Sequence, residues 1–160
     1  MPMIDLTYVR GSLDDRALGR LTDELVTALL RAERAPDTPF LRDNTLVYLH
    51  AVDAAAQSVG GRGEGAPRFR VEMTVFEGAL SQDRKEQLAA DVHAAVCAAA
   101  GIDPESARAL HVWTLIHEIP RRELGRRRQD HLLPAGQRFG GRRRRIVSEY
   151  GHLLRVRDLL

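Results

Sequence analysis

The sequence predicts an α/β fold: two tandem β-α-β units forming a four-stranded sheet with two helices on one face. Three observations carry this. Shifted by 67 positions, residues 2–59 fall on residues 69–126 without a gap. In each copy an apolar, β-branched run ends at a glycine, Gly11 in the first and Gly78 in the second. Each glycine is followed by a stretch whose apolar residues recur at spacings of three and four, the signature of a helix with one buried stripe.

Taken in order, the first strand covers Met3–Val9 and its copy covers Arg68–Phe76. Leu6-Thr7-Tyr8-Val9-Arg10-Gly11-Ser12-Leu13 falls on Met73-Thr74-Val75-Phe76-Glu77-Gly78-Ala79-Leu80. Asp14 and Ser81 sit where side-chain oxygens can accept from free helix N–H groups, so both are read as N-caps. Helix one runs to Ala32, with Leu18, Leu21, Leu25, Ala28 and Leu29 on one face. Helix two runs to Ala100, with Leu88, Val92, Ala95, Val96 and Ala99 on one face, and Gly101 suits the position just past its end. A second strand follows in each unit, Thr45–His50 and His111–Ile119. Strand, helix and strand in one sheet imply a right-handed parallel crossover. The domain reading is therefore 1–59 for the first unit, 60–66 for a glycine-rich linker, 67–126 for the second unit and 127–160 for an extension.

Composition sets bounds on function. The 160 residues are 44% hydrophobic, ordinary for a soluble globular chain, and no apolar run is long enough to span a bilayer. Asp5 and Arg10 interrupt any signal-peptide core, which points to the cytoplasm. The single Cys97 lies in an alanine-rich helical run and reads as a small core residue. Charge is unevenly placed: residues 121–160 hold twelve arginines against four acids, and the remaining residues are net acidic. These arginines include Arg126-Arg127-Arg128 and Arg142-Arg143-Arg144-Arg145. They are not interleaved with aromatics at stacking spacing, which favours packing on the acidic body of a neighbouring subunit over nucleic acid.

Pro2 is the chemically distinctive residue. If Met1 is removed, its nitrogen becomes a free secondary amine, and α-amino groups titrate near ~7.7–8.0. Desolvation favours the neutral form, a usable general base near neutral pH. If Met1 is retained, the same nitrogen is a tertiary amide without basicity. The second unit carries Phe69 in place of Pro2, so one proline per chain can be chemical.

Pro2 in register with a doubled β-α-β resembles the tautomerase superfamily in its fused form. Val9-Arg10-Gly11-Ser12 and Phe76-Glu77-Gly78-Ala79 look like that family's strand exit, and Ile116-His117-Glu118-Ile119-Pro120 with Leu124-Gly125 looks like its second strand and hairpin. The layout is most similar to the cis-3-chloroacrylic acid dehalogenase group. The resemblance implies a cofactor-independent isomerase, a homotrimer whose sheets close around an axis, and a small-molecule substrate. Ser12, Ala79, Leu46 and Trp113 stand where relatives carry carboxylate-binding arginines, and Phe76 and Ala79 stand where the dehalogenase has its arginine pair. The implied pocket is apolar, built from Phe76, Trp113 and Leu115, the last two contributed across subunits. Arg70 follows Phe69 on the strand neighbouring Pro2; Arg70, a backbone N–H or Trp113 are the candidate donors to an enolate oxygen, with Arg34, Arg42 and Arg68 as other cations.

His50 and His117 are repeat-equivalent and read as paired core or interface histidines. With His93, His111 and Cys97 they offer no metal-ligand spacing, so no metal is expected. The functional reading is Pro2 as general base on a small enol or carbonyl compound. One alternative is a Pro2-dependent hydratase or dehalogenase-like lyase. Another is a non-catalytic protein that binds an acidic partner through its arginine-rich extension.

Overall fold

The computed structural model describes residues 2–63 and 65–120. The end of the second unit from residue 121, including Leu124-Gly125, and the extension 127–160 lie outside the described residues, as do Met1 and the linker's Glu64.

Alternation of side chains creates the sheet. Strand β1, Met3–Val9, buries Ile4, Leu6 and Tyr8. Strand β3, Phe69–Phe76, buries Phe69, Val71, Met73 and Val75. The two strands pair antiparallel, with Ile4 opposite Met73 and Leu6 opposite Val71, so both buried sets face the same way. Strand β2, Leu46–Val52, pairs parallel with β1, and β4, Val112–Ile119, pairs parallel with β3. The order is β2-β1-β3-β4, a four-stranded mixed sheet.

Helix α1, Asp15–Ala32, and helix α3, Gln82–Ala99, share the apolar core with the buried face of the sheet. The two helices have 18 residues each and lie 67 positions apart, as the repeat requires. Leu21, Leu25 and Leu29 meet Leu88, Val92 and Val96 in this core, all 1% exposed or less. Full burial of each such side chain contributes roughly 1.5–3 kcal/mol. Cys97 is fully buried among them, and desolvation pushes its thiol up.

Gly11 and Gly78 take φ values of 82° and 74° at the two strand exits, a conformation that favours glycine. Gly101 takes φ 60° just beyond α3. At the start of α1 the Asp14 carboxylate accepts from the Ala17 N–H at 2.6 Å. Ser81 stands at the matching position but makes no such bond; its Oγ accepts from Arg84 Nε at 3.3 Å. The predicted cap there is one of position only.

Two expectations are corrected. Strand β2 begins at Leu46 and reaches Val52, because Ala51 and Val52 continue the ladder opposite Tyr8 and Val9. His111 closes a 3-10 turn, Ala107–His111, rather than opening β4. A short helix α2, Pro39–Asp43, was not foreseen. Its signal was present: Thr38 Oγ1 caps it by accepting from Leu41 N, and Pro39 occupies the first turn.

Candidate active site

Strand β1 begins beside β2, where the Leu46 N–H donates to the Pro2 carbonyl at 3.4 Å. Because β1 and β2 are parallel, α1 must run back between them, and its C-terminal end lies at the Pro2 end of the sheet. Because β3 is antiparallel to β1, it finishes at this end with Phe76, and α3 starts from it. The register Met3–Thr74, carried one step further, sets Pro2 opposite Val75. Pro2 is half-buried and shares the helix-covered side with Ile4.

The polar groups at this end come from the two helices. Glu33 caps the C-terminus of α1 through its N–H, which donates to the Leu29 carbonyl at 3.0 Å. Arg84, in the first turn of α3, donates from Nη1 to the Ala32 carbonyl at 2.9 Å and closes the gap between the helices. Burial pushes the Glu33 carboxyl up, opposed by the positive charges of the chain's amino terminus and of Arg84. Next to it Arg34 adopts φ 56°, a strained conformation for a residue with a Cβ. Beside this corner lies an open cleft of about 490 Å³ lined by Thr27, Leu30, Arg31, Arg34, Ala35, Pro36 and Asp37. On the neighbouring strand Glu118 accepts from Lys85 Nζ at 2.7 Å and from the Gly78 N–H at 3.2 Å. The Lys85 bond and then the Gly78 N–H hold its carboxyl below the usual range.

The residues singled out from the sequence divide between the two ends of the sheet. Phe76 is half-buried and lies at the Pro2 end. Arg70 pairs in register with Thr7 on one side and Trp113 on the other. Thr7 is five positions along β1 from Pro2, roughly 17 Å at the rise of a strand. Within one chain Arg70 and Trp113 therefore do not meet Pro2. Arg70 instead faces Glu72 at 3.4 Å and the Thr7 hydroxyl at 3.5 Å. Leu115 is half-buried, across β3 from Asp5 by way of Glu72. Trp113 is 64% exposed, its indole N–H donating to the Leu110 carbonyl.

The other cations sort in the same way. Arg42 is held by Asp37 and Asp23, each at 2.6 Å, and by the Thr27 hydroxyl. The bond to Arg42 in turn depresses the Asp37 carboxyl. Arg68 opens the far end of β3, where Phe69 is buried. Arg34 and Arg42 both lie on the segment that leads from α1 into the start of β2, but Arg42 is taken up by its acids.

His50 and His117 are not core residues. Both are exposed on the sheet face opposite the helices, where His50 meets Asp5 at 2.7 Å and His117 meets Glu72 at 3.4 Å. Asp5 and Glu72 are themselves repeat-equivalent and directly opposed across the β1–β3 pair. The open face is thus a double histidine–carboxylate array flanked by exposed Leu46, Tyr48 and Trp113. Sequence reasoning found the histidines but not their acids. The 67-residue offset that aligns the histidines also aligns Asp5 with Glu72 and was a sufficient signal. His93 and His111 are half-buried elsewhere. His93 Nε2 lies 3.0 Å from the Ala109 carbonyl, and His111 is pushed down by burial first and by Arg68 and Arg108 next.

The family model described as Tautomerase enzyme matches residues 70–140. No curated protein matches by sequence. Among solved structures, a wild-type fused 4-OT described as a symmetric trimer is 22% identical. It covers 77% of this chain and 89% of its own length, with a TM-score of 0.63. A member of the cis-3-chloroacrylic acid dehalogenase family is 21% identical, covering 82% of this chain and 83% of its own, with a TM-score of 0.62. Leishmania major MIF2 is 16% identical, covering 74% and 89%, with a TM-score of 0.55. These likenesses concern the fold, which matches in both β-α-β units and in the sheet they share. No helix among the described residues is long and apolar enough to cross a membrane. Residues 70–140 thus match the tautomerase family model, and the doubled β-α-β with Pro2 at the head of its first strand has the fold of the fused two-unit structures.

Proposed function

We propose that this chain is a cofactor-independent tautomerase in which the Pro2 nitrogen, freed by removal of Met1, is the general base. The observation that supports this most strongly is positional. Pro2 is half-buried at the head of a central strand, while its repeat twin Phe69 is 3% exposed inside the core. The amine takes the O–H proton of a small enol and returns a proton to the adjacent carbon, giving the keto form. Partial desolvation keeps the amine neutral enough to act. Phe76 supplies an apolar wall, and Arg34 is the cation placed for an anionic substrate group.

The proposal includes a homotrimer. The exposed sheet face carries Leu46, Tyr48 and Trp113, which a second and third copy would cover. The fused 4-OT relative described as a symmetric trimer has the same sheet. Arg70, Trp113 and Leu115 then serve the Pro2 of a neighbouring subunit, with Arg70, Trp113 or a backbone N–H as donor to the enolate oxygen. The extension 127–160 is assigned to packing on that assembly.

Turnover of phenylenolpyruvate by wild type and Pro2→Ala tests the assignment, with intact mass confirming that Met1 is absent. Wild type should turn over the enol and Pro2→Ala should not, while the variant keeps its circular dichroism. Undiminished turnover by the variant would sink the reading. The lyase alternative uses the amine protonated as an acid. A Pro2 nitrogen that titrates well above the free-amine value would select it.

A further inference from the structure

We propose that the open sheet face is a proton-linked contact between copies of this chain: His50, seated on Asp5, takes up a proton when a second copy covers the face. This rests on the homotrimer reading and not on the chemistry of Pro2. The strand registers lay the face out in three rows. Tyr48, Asp5, Glu72 and Leu115 form the middle row. His50, Thr7, Arg70 and Trp113 flank it on one side, and Leu46, Met3, Thr74 and His117 on the other. The 67-residue offset exchanges the two flanking rows and turns the middle row onto itself. Leu46 and Tyr48 lie on edge strand β2 and Trp113 on the opposite edge strand β4, all three exposed. A contact from the β2 edge of one copy to the β4 edge of the next is head-to-tail, the kind that closes a ring.

The charges decide what covering the face costs. Asp5 and Glu72 stand directly opposite each other, an unfavourable arrangement for like charges. Arg70 of β3 faces Glu72 at 3.4 Å and offsets one of the two. His50 of β2 meets Asp5 at 2.7 Å, with Thr7 beside it on β1 and the Tyr48 ring centred 6.1 Å from its own. His117 of β4 meets Glu72 at 3.4 Å, with Thr74 beside it on β3. With both histidines neutral, two carboxylates face one guanidinium and the array keeps one negative charge. One imidazolium cancels it. Open to water, that charge is well solvated. Beneath another copy it is desolvated, and a charge buried without a partner is strongly unfavourable. His50 is the group that answers it. Glu72 already has Arg70, whereas among the described residues Asp5 has no cation but His50 within ion-pair distance. Histidine is the side chain that changes charge between about pH 5 and pH 8. Assembly is therefore favoured as pH falls through that range and loosens as pH rises above it.

Fluorescence-detected sedimentation of the labelled full-length protein, at fixed salt and between about pH 6 and about pH 8, tests this. In wild type the concentration at which half the trimer dissociates should rise about tenfold or more across that range. His50→Gln should assemble weakly at both ends of it, and His117→Gln should keep most of the wild-type response. Asp5→Asn removes the unmatched acid, so at the alkaline end it should assemble as tightly as wild type does at the acidic end. A side chain that only shapes the interface would give no such rescue. Circular dichroism establishes that each variant is folded. Where wild type stays trimeric at the lowest concentration, exchange of chains between labelled trimers reads the same linkage: faster at the alkaline end in wild type, indifferent to pH in Asp5→Asn. A trimer whose dissociation and exchange ignore pH, or a folded His50→Gln that keeps the wild-type response, overturns the inference and leaves the trimer reading standing. A wild-type chain that forms no trimer anywhere in this range ends both.

Discussion

The two β-α-β units are copies in backbone and differ in what they were given to do. Their main helices have equal length and identical offset, and each unit places a short helical turn before its second strand. Each unit also carries one histidine–carboxylate pair on the open face. Yet the first unit begins with Pro2 and the second with buried Phe69. Helix α1 buries seven residues and alanine-rich α3 four, while the second unit makes up the difference from its strands and turns with residues such as Phe69, Ile102, Ala109 and Val112. The second unit contributes Arg84 and Lys85 at the end of the sheet where the first unit presents Pro2. The difference teaches that two copies of one backbone can put a half-buried proline at one strand head and a core phenylalanine at the other.

That comparison can be broken at graded depths. Among stability effects, the largest should come from the core. Leu25 and Val92 are repeat-equivalent and both fully buried. Leu25→Ala should cost about 2–5 kcal/mol, and Val92→Ala less, about 1–3 kcal/mol, in urea unfolding. Equal losses would mean that the two helices share the core evenly. Next comes capping. Asp14→Ala removes a real bond to the Ala17 N–H and should cost about 1 kcal/mol. Ser81→Ala removes none to the helix and should be near neutral. A matching loss at Ser81 would contradict the observed asymmetry.

Smaller effects follow on the open face. Asp5→Asn breaks the 2.7 Å contact to His50, and Glu72→Gln breaks the 3.4 Å contact to His117. Both pairs are substantially exposed, so each is worth at most about 0.5 kcal/mol, with the larger share at Asp5. Unfolding at acidic and neutral pH should show this ordering, and a reversal would tell against the distances. The smallest effect concerns the segment after α1, which is clamped by Arg42 on Asp37. Bonding to Arg42 lowers the Asp37 carboxyl in the folded state. The clamp's contribution is therefore present above the ordinary carboxylate range and lost as pH falls through the depressed value. Hydrogen exchange of this segment should quicken at low pH in wild type and be less pH-sensitive in Arg42→Gln.

Much of this was legible in the residues themselves. The alternation of Ile4, Leu6 and Tyr8, and the stripe from Leu21 to Leu29, are local patterns set by the periods of strand and helix. Gly11, Gly78 and Gly101 marked the turns because each takes a positive φ. The 67-residue offset carried both strands and the main helix of the first unit onto the second. What escaped was non-local. Arg84 meets Ala32 across 52 positions, and His50 meets Asp5 across 45. No pattern within a window of a helix or strand contains such pairs. Arg70 illustrates the converse. Its place on the neighbouring strand was correctly read, but the antiparallel register carries it to Thr7, away from Pro2 in the same chain.

By itself, then, the sequence determined the main elements, their order, the doubling and the place of Pro2 at the head of the first strand, because these depend on side-chain period and on identity at single positions. Only the tertiary structure decided how the two units join. The antiparallel pairing of β1 with β3 brings the end of β3 and the start of α3 to the head of β1, and so sets Glu33 and Arg84 at the Pro2 end. Register between distant strands is settled by how both halves bury their apolar faces together. One half alone holds no information about it.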